Sequence, residues 1–284
     1  MIMNTLTPIP QEPEKMVWTE ILQGKKILFK PLEKTEEYLQ CLDLQKKIWG
    51  EETEHIPLGM MKITQRIGGL CAGALDTSGN VIGFGISMPG FIQNTVVHWS
   101  YRLGVDPGLR DLSLGTHLKR YQRLFCQRSG IEWIYWTYDP LVARNAHLNL
   151  NKLGTKIVQY IPDLYEGSTS VLHSDFGTDR FVVAWHTLSS ENFITLSQKE
   201  WKDQIENYKM YRIVDYPEEM AFASSIRIEI PENIISLKTE VLSEALRWRS
   251  QTRTLFLKAV KEKWNIIGFY RDPETTRCYY VLKK

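Results

Sequence analysis

Apolar residues change their spacing several times along the chain, and each change marks an element. Polar and Pro-rich positions (Pro8, Pro10, Pro13) dominate the start, so residues 1–24 read as a loosely ordered lead-in. Lys26–Lys30 (KILFK) predicts a short strand closed by Pro31. Thr35 is a candidate helix cap, with Glu36 and Glu37 at the positive end of the helix dipole. Tyr38, Cys41, Leu42, Ile48 and Trp49 then recur at helical spacing up to Gly50. Two apolar runs, Gly69–Leu75 and Val81–Met88, flank Asp76-Thr77-Ser78-Gly79-Asn80, whose turn residues predict a hairpin. Thr95–Val105 would continue that antiparallel sheet.

Past Val105 the period lengthens. Asp106-Pro107-Gly108 stops the strand, and Leu114, Leu118, Tyr121, Leu124 and Phe125 fall on one helical face. Lys119, Arg120, Arg123 and Arg128 are assigned to the polar face, and Ser129-Gly130 ends the helix. Ile131–Tyr138 (IEWIYWTY) is an aromatic strand, followed by a short helix through Asn145–Leu153 and strands at Lys156–Ile161 and Arg180–His186. Ser189–Lys199 is polar and marks a boundary. Beyond it come a long helix around Leu237–Lys263 and strands Ile266–Tyr270 and Tyr279–Leu282. The predicted class is α/β: a mixed, mostly antiparallel sheet flanked by helices over 25–188, with an α+β extension over 189–284.

At 284 residues the chain suits one large domain or two modest ones. Hydrophobic residues at 43% and charged residues at 24% describe a soluble globular protein, and no apolar run nears the length of a membrane span. A formal charge of +2 argues against an electrostatic nucleic-acid or membrane binder. Cys41, Cys71, Cys126 and Cys278 form no CxxC and no metal-ligand spacing, so free thiols and no metal are expected. With no signal-peptide stretch at the start, the expected setting is the cytoplasm.

The strand-to-helix passage from Val105 to Thr116 is the most informative stretch. Small residues (Ser113, Gly115, Thr116) open an amphipathic helix, where unpartnered N–H groups and the dipole favour a phosphate. Arg110 could add charge-assisted bonds to the same anion. An ordinary connection with a solvated Arg is the alternative. Val105-x-Pro107-x-x-Arg110-x-x-Ser113-x-Gly115 resembles the coenzyme-A loop of the GNAT-superfamily acyltransferases, with Ser113 where the first Gly is usual. Asp139-Pro140-Leu141, Asn145-Ala146, Leu153-Gly154, Tyr160, Tyr165 and Thr178-Asp179-Arg180 resemble an uncharacterised branch of predicted acyltransferases in that superfamily. The resemblance runs from about Lys26 to Leu188, and more faintly through Trp248-Arg249 and Gly268-Phe269.

The resemblance implies a GNAT-type fold and acyl transfer from acetyl-CoA or another acyl-CoA to a small-molecule amine or amino acid. The main chain of Leu103 and Val105 would pair with the pantetheine arm. The N–H groups of Asp111, Leu112, Ser113, Leu114, Gly115 and Thr116 would hold the pyrophosphate, and Asn145 would bind the arm. The tyrosine that often protonates the leaving thiolate falls at Leu150, so that donor is absent. By strand periodicity Leu103, Tyr101 and Trp99 share one face and His98 and Arg102 the other, and a bulge would bring His98 in. Tyr101, His98 and Asp139 are therefore the candidates for catalytic work. Arg180, at a strand start, is the candidate anchor for an acceptor carboxylate.

Two rivals stand beside this reading: an acyl-CoA-binding or sensing module without turnover, and a scaffold that keeps only the fold. The tail could cover the cleft, form a homodimer contact or fold as a degenerate second half-domain.

Overall fold

The structure is a computed structural model that describes residues 16–165, 176–189 and 197–284, and within them not the side chains of Arg110 and Asp111. Most of the predicted lead-in and most of the polar boundary lie outside the described residues.

The first part of the chain builds one eight-stranded sheet flanked by helices. In chain order it comprises β1 (Trp18–Leu22), β2 (Lys25–Pro31), α1 (Thr35–Trp49), α2 (Leu58–Arg66), β3 (Leu70–Leu75), β4 (Val81–Ile92) and β5 (Thr95–Val105). Then follow α3 (Leu114–Arg128), β6 (Trp133–Tyr138), α4 (Ala143–Ala146), β7 (Lys156–Ile161) and β8 (Arg180–His186). The strand order is β1-β2-β3-β4-β5-β6-β8-β7, antiparallel throughout except for the parallel pair β5–β6. The predicted mixed, mostly antiparallel sheet is therefore present.

Alternation along β3 explains how the sheet is covered. Leu70, Ala72 and Ala74 pack into a core with Leu114, Leu118 and Tyr121 of α3. Cys71 and Leu75 pack with Tyr38, Cys41 and Leu44 of α1 and Met61 of α2. Both faces of the central strands are buried, so β3 reads as one continuous apolar run.

The rest of the chain adds α5 (Gln198–Lys209), β9 (Arg212–Ile213), β10 (Ser225–Ile230), α6 (Ile234–Glu240), α7 (Leu242–Lys261), β11 (Asn265–Arg271) and β12 (Cys278–Lys283). Its strands form a four-stranded sheet in the order β11-β12-β10-β9. The chain changes sheet here, but the core does not divide. One apolar cluster includes Ile134, Trp136 and Phe181 of the large sheet with Ile226, Phe256 and Tyr280 of the later part. The Phe181 and Phe256 rings meet edge to face at 4.8 Å, and both contact Tyr280.

Four expectations need correction. The lead-in ends earlier than position 24: Trp18–Leu22 pairs with β2 through a two-residue turn, Gln23-Gly24, with both residues at positive φ. Lys34, not Thr35, occupies the N-cap position of α1, with Glu37 accepting from its backbone N–H. The long tail helix is broken at Val241, whose extended backbone separates α6 from α7. On α3, Lys119 is buried while Leu124 is 41% exposed, so the inward face holds Leu114, Leu118 and Tyr121 as expected, and Lys119, Gln122 and Cys126 beside them.

Candidate active site

The site begins with a failure of pairing. β5 and β6 are partners only at His98–Ile134 and Trp99–Tyr135. The following residues of each strand, Ser100–Leu103 and Trp136–Asp139, instead line a cleft of about 420 Å³. A bulge sits at its mouth: Ile86 of β4 faces Arg102 and Ser87 faces Ser100, which leaves Tyr101 without a ladder partner. The sharp end of the V is filled by Lys119, and Asn145, Tyr165 and Arg180 complete the rim.

The bulge inverts the side-chain parity of β5 as expected, but His98 does not reach the cleft. It is fully buried, packs against Phe125 and has Nδ1 3.0 Å from Ser87 Oγ. Burial holds its pKa at about 4, so the ring is neutral. Tyr101 does line the cleft and is 45% exposed.

Asp139 also lines the cleft, but its oxygens are taken. Arg249 of α7 donates to Oδ1 at 3.0 Å and to Oδ2 at 2.6 Å, and the Leu141 N–H donates to Oδ1 at 2.9 Å. Arg180 Nη1 lies 3.8 Å from Oδ2. A two-pronged guanidinium and a backbone N–H therefore occupy both oxygens of this carboxylate. Asp139 acts here as a brace that fixes the Arg180 fork. Arg180 is held further by the Asp179 carbonyl at 2.9 Å and lies over the Tyr165 ring at 5.2 Å.

Arg102, not foreseen as a cleft residue, is also tied down. It stacks on Trp49 at 4.8 Å and donates to the Glu54 carbonyl at 2.8 Å. Arg102 and Arg180 thus both line the cleft, each held by neighbouring groups.

The helix start adjoins this cleft through Leu103, which lines it and also faces Gly115. Pro107–Leu112 form a 3-10 turn, and Ser113 takes the left-handed conformation before α3 without its side chain accepting a capping bond. A Cβ built on Gly115 would meet only Leu103, at 3.5 Å, so packing within the protein does not require a glycine there. Arg110 and Asp111 belong to this turn by backbone, with their side chains outside the described set.

Asn145 and Asn149 part company. Asn149 is buried and its Oδ1 accepts from Trp136 Nε1 at 3.0 Å, so it braces the cleft wall. Asn145 is half-buried on α4 and lines the cleft. Its helix begins two residues earlier than the spacing predicts, at Ala143. Leu150 lies in the core, 7% exposed.

No protein-family model matches the chain, and no curated protein matches it either. Among solved structures it is similar to an aminoglycoside 6'-acetyltransferase type Ii, with 20% identity over 57% of this chain and 97% of that one (TM-score 0.45). It is similar to the ribosomal-protein-S18-alanine N-acetyltransferase of Escherichia coli, with 13% identity over 61% and 97% (TM-score 0.45). An acetyltransferase of the GNAT family from Staphylococcus aureus Mu50 aligns at 15% identity over 57% and 99% (TM-score 0.41).

Proposed function

We propose that the chain is an N-acyltransferase that moves an acetyl or other small acyl group from acyl-coenzyme A to an amine in the V between β5 and β6. The observation that carries this reading is one of contiguity. A strand edge stripped of its partner runs directly into a helix start that is open above Gly115, and Leu103 touches both. An extended pantetheine arm would add to β5 at Leu103 and Val105 as a further strand. The N–H groups of residues 111–116 would take the pyrophosphate, and Asn145 would meet the arm from the opposite wall. The amine nitrogen attacks the thioester carbonyl, the C–N bond forms, the C–S bond breaks and the thiolate leaves. The main chain at Tyr101, unpaired in the ladder, supplies an N–H to the developing oxyanion. His98 and Asp139 take no proton in this scheme, for the reasons of burial and pairing given above.

The acceptor carries a carboxylate, as an amino acid does, and Arg180 receives it. Asp139 and the Asp179 carbonyl hold the guanidinium in place, so little side-chain freedom is lost on binding. Arg180→Ala should raise KM for an amino acid by about 30-fold or more, corresponding to roughly 2 kcal/mol or above for a desolvated pair. The same change should leave the KM of the corresponding amide untouched. Equal losses on acid and amide would remove the anchor.

Free thiol released from acetyl-CoA or succinyl-CoA with a panel of amines tests the reaction itself. Amine-dependent release supports it. Amine-independent binding of CoA without release would leave a sensing module in its place, a reading favoured by Leu150 at the usual thiolate-donor position and by the burial of His98 and the pairing of Asp139.

A further inference from the structure

Lys119 is an ionisable amine placed where nothing neutralises it. Its side chain comes off the inward stripe of α3, it is 3% exposed, and it lines the cleft. The ammonium position bridges the two strands where they separate. Nζ donates to Ser100 Oγ of β5 at 2.8 Å and lies 3.4 Å from the centre of the Trp136 ring of β6. Gln122 Oε1, one turn along the helix, is 3.3 Å away. Among the described residues no carboxylate comes within ion-pairing distance of it. A solvated or merely structural lysine would be expected to snorkel outward or to find an acid. This one does neither, and its nitrogen sits in the V between β5 and β6, on the cleft wall.

We infer that Lys119 is the proton carrier of the transfer, accepting the proton that the attacking amine must lose and returning it to the departing thiolate. This inference rests on the acyltransferase reading above. The steps balance within one turnover. As the C–N bond forms, a proton passes from the amine nitrogen to Nζ, directly or through the Ser100 hydroxyl. As the C–S bond breaks, the ammonium of Lys119 gives that proton to the thiolate. The products are the amide, the free thiol and a neutral lysine ready for the next cycle. One residue thereby fills both roles left open by the cleft: the missing base, and the thiolate donor whose usual position is occupied by Leu150.

The surroundings favour an amine that cycles. Burial without a counter-charge drives the Lys119 pKa well below the ordinary lysine value. On its own helix the titratable group that acts on it is Cys126, whose thiol burial pushes up to about 12. From β5 it meets the Ser100 hydroxyl, and His98 of the same strand is neutral for the reason given above. The remaining charged groups line the cleft: Glu54, Arg102, Asp139 and Arg180, with Tyr101, Tyr138 and Tyr165.

The test uses Lys119→Met, which keeps the length of the side chain without the amine. Its stabilisation by CoA in a thermal melt should equal that of the wild type, while kcat at saturating substrates falls at least 100-fold. The acid limb of the wild-type kcat profile should be absent from the residual activity. An active variant with an unchanged pH profile overturns the inference alone. A wild type that CoA does not stabilise and that releases no thiol overturns the acyltransferase reading, and the inference with it. Should Lys119→Met not fold, lysine 13Cε NMR of the wild type decides. One lysine should titrate far below the usual value of about 10.4, and Ser100→Ala should move that resonance. Uniform titration near the usual value overturns the proposal.

Discussion

Gly115 is not in the left-handed region, and a Cβ there would make only an ordinary contact with Leu103, so a side chain at this position is compatible with the backbone. A leucine would even favour the helix, by up to about 1 kcal/mol over glycine. The functional cost should therefore separate cleanly from the structural one. Gly115→Leu should melt at or slightly above the wild-type temperature yet lose its response to CoA, because its branched tip projects where the pyrophosphate would sit. At 100 times Kd the wild type gains about 2.7 kcal/mol, so the contrast is easily read in a thermal melt. A variant that still responds to CoA would show that the α3 start is not the pyrophosphate site. Residue-level legibility was uneven for a physical reason. The small residues of this loop, Asn145 and Arg180 stand out in sequence, and all belong to the helix start or the cleft. Lys119 does not, because charged residues on amphipathic helices are normally solvated. Its spacing from Gln122 and Cys126, both buried, was the available signal that it points inward.

Helix α7 acts on the cleft from outside it. Arg249 and Arg253 lie one turn apart and reach Asp139 and Asp179, at the C-terminal end of β6 and immediately before β8. Asp179 is fully buried and also accepts from Tyr160 and from the Asp163 N–H. Burial would raise its pKa, but the bonds from Arg253 and Tyr160 outweigh that and hold it below the usual carboxylate value. The sign then follows. A depressed folded pKa contributes stability that is complete above the unfolded value of about 3.9 and is lost as pH falls through the folded value. Arg253→Met should destabilise the protein by about 3–5 kcal/mol at pH 7 by stranding a buried carboxylate. The difference should shrink markedly by about pH 3, where the variant's Asp179 is protonated. Urea titrations of both proteins at the two pH values check this, and an equal difference at both would show that the pair does not carry the effect. Local pattern could not reveal this clamp, because its partners are 110 and 74 positions apart in the chain. Strand β1 escaped for a different reason: its alternation is weak and its turn, Gln23-Gly24, lacks the usual Asn or Asp.

At the scale of the whole molecule, the question is whether residues up to 188 form a unit that works alone. The strands divide there into two sheets, which suits a catalytic unit with an appended extension. The interior argues the opposite. Phe181 of β8 is fully buried, and two of its ring neighbours, Phe256 and Tyr280, come from the later part. Tyr280 also donates to the Pro140 carbonyl at 2.8 Å, beside Asp139. Removing the chain beyond position 189 would uncover that aromatic face and strand Asp139 and Asp179 without their arginines. Each aromatic side chain returned to water costs on the order of 1.5–3 kcal/mol. Several such losses with two unpaired acids exceed the 5–15 kcal/mol that holds an ordinary domain together. A chain ending at residue 189 should therefore show no cooperative melt and no stabilisation by CoA, and the separate tail should not restore either unless the two associate. The full chain should unfold in a single transition by tryptophan fluorescence and circular dichroism alike. Two resolved transitions, or a truncated form that melts cooperatively and responds to CoA, would show that the shared core is dispensable and that the tail is an accessory to a self-sufficient unit.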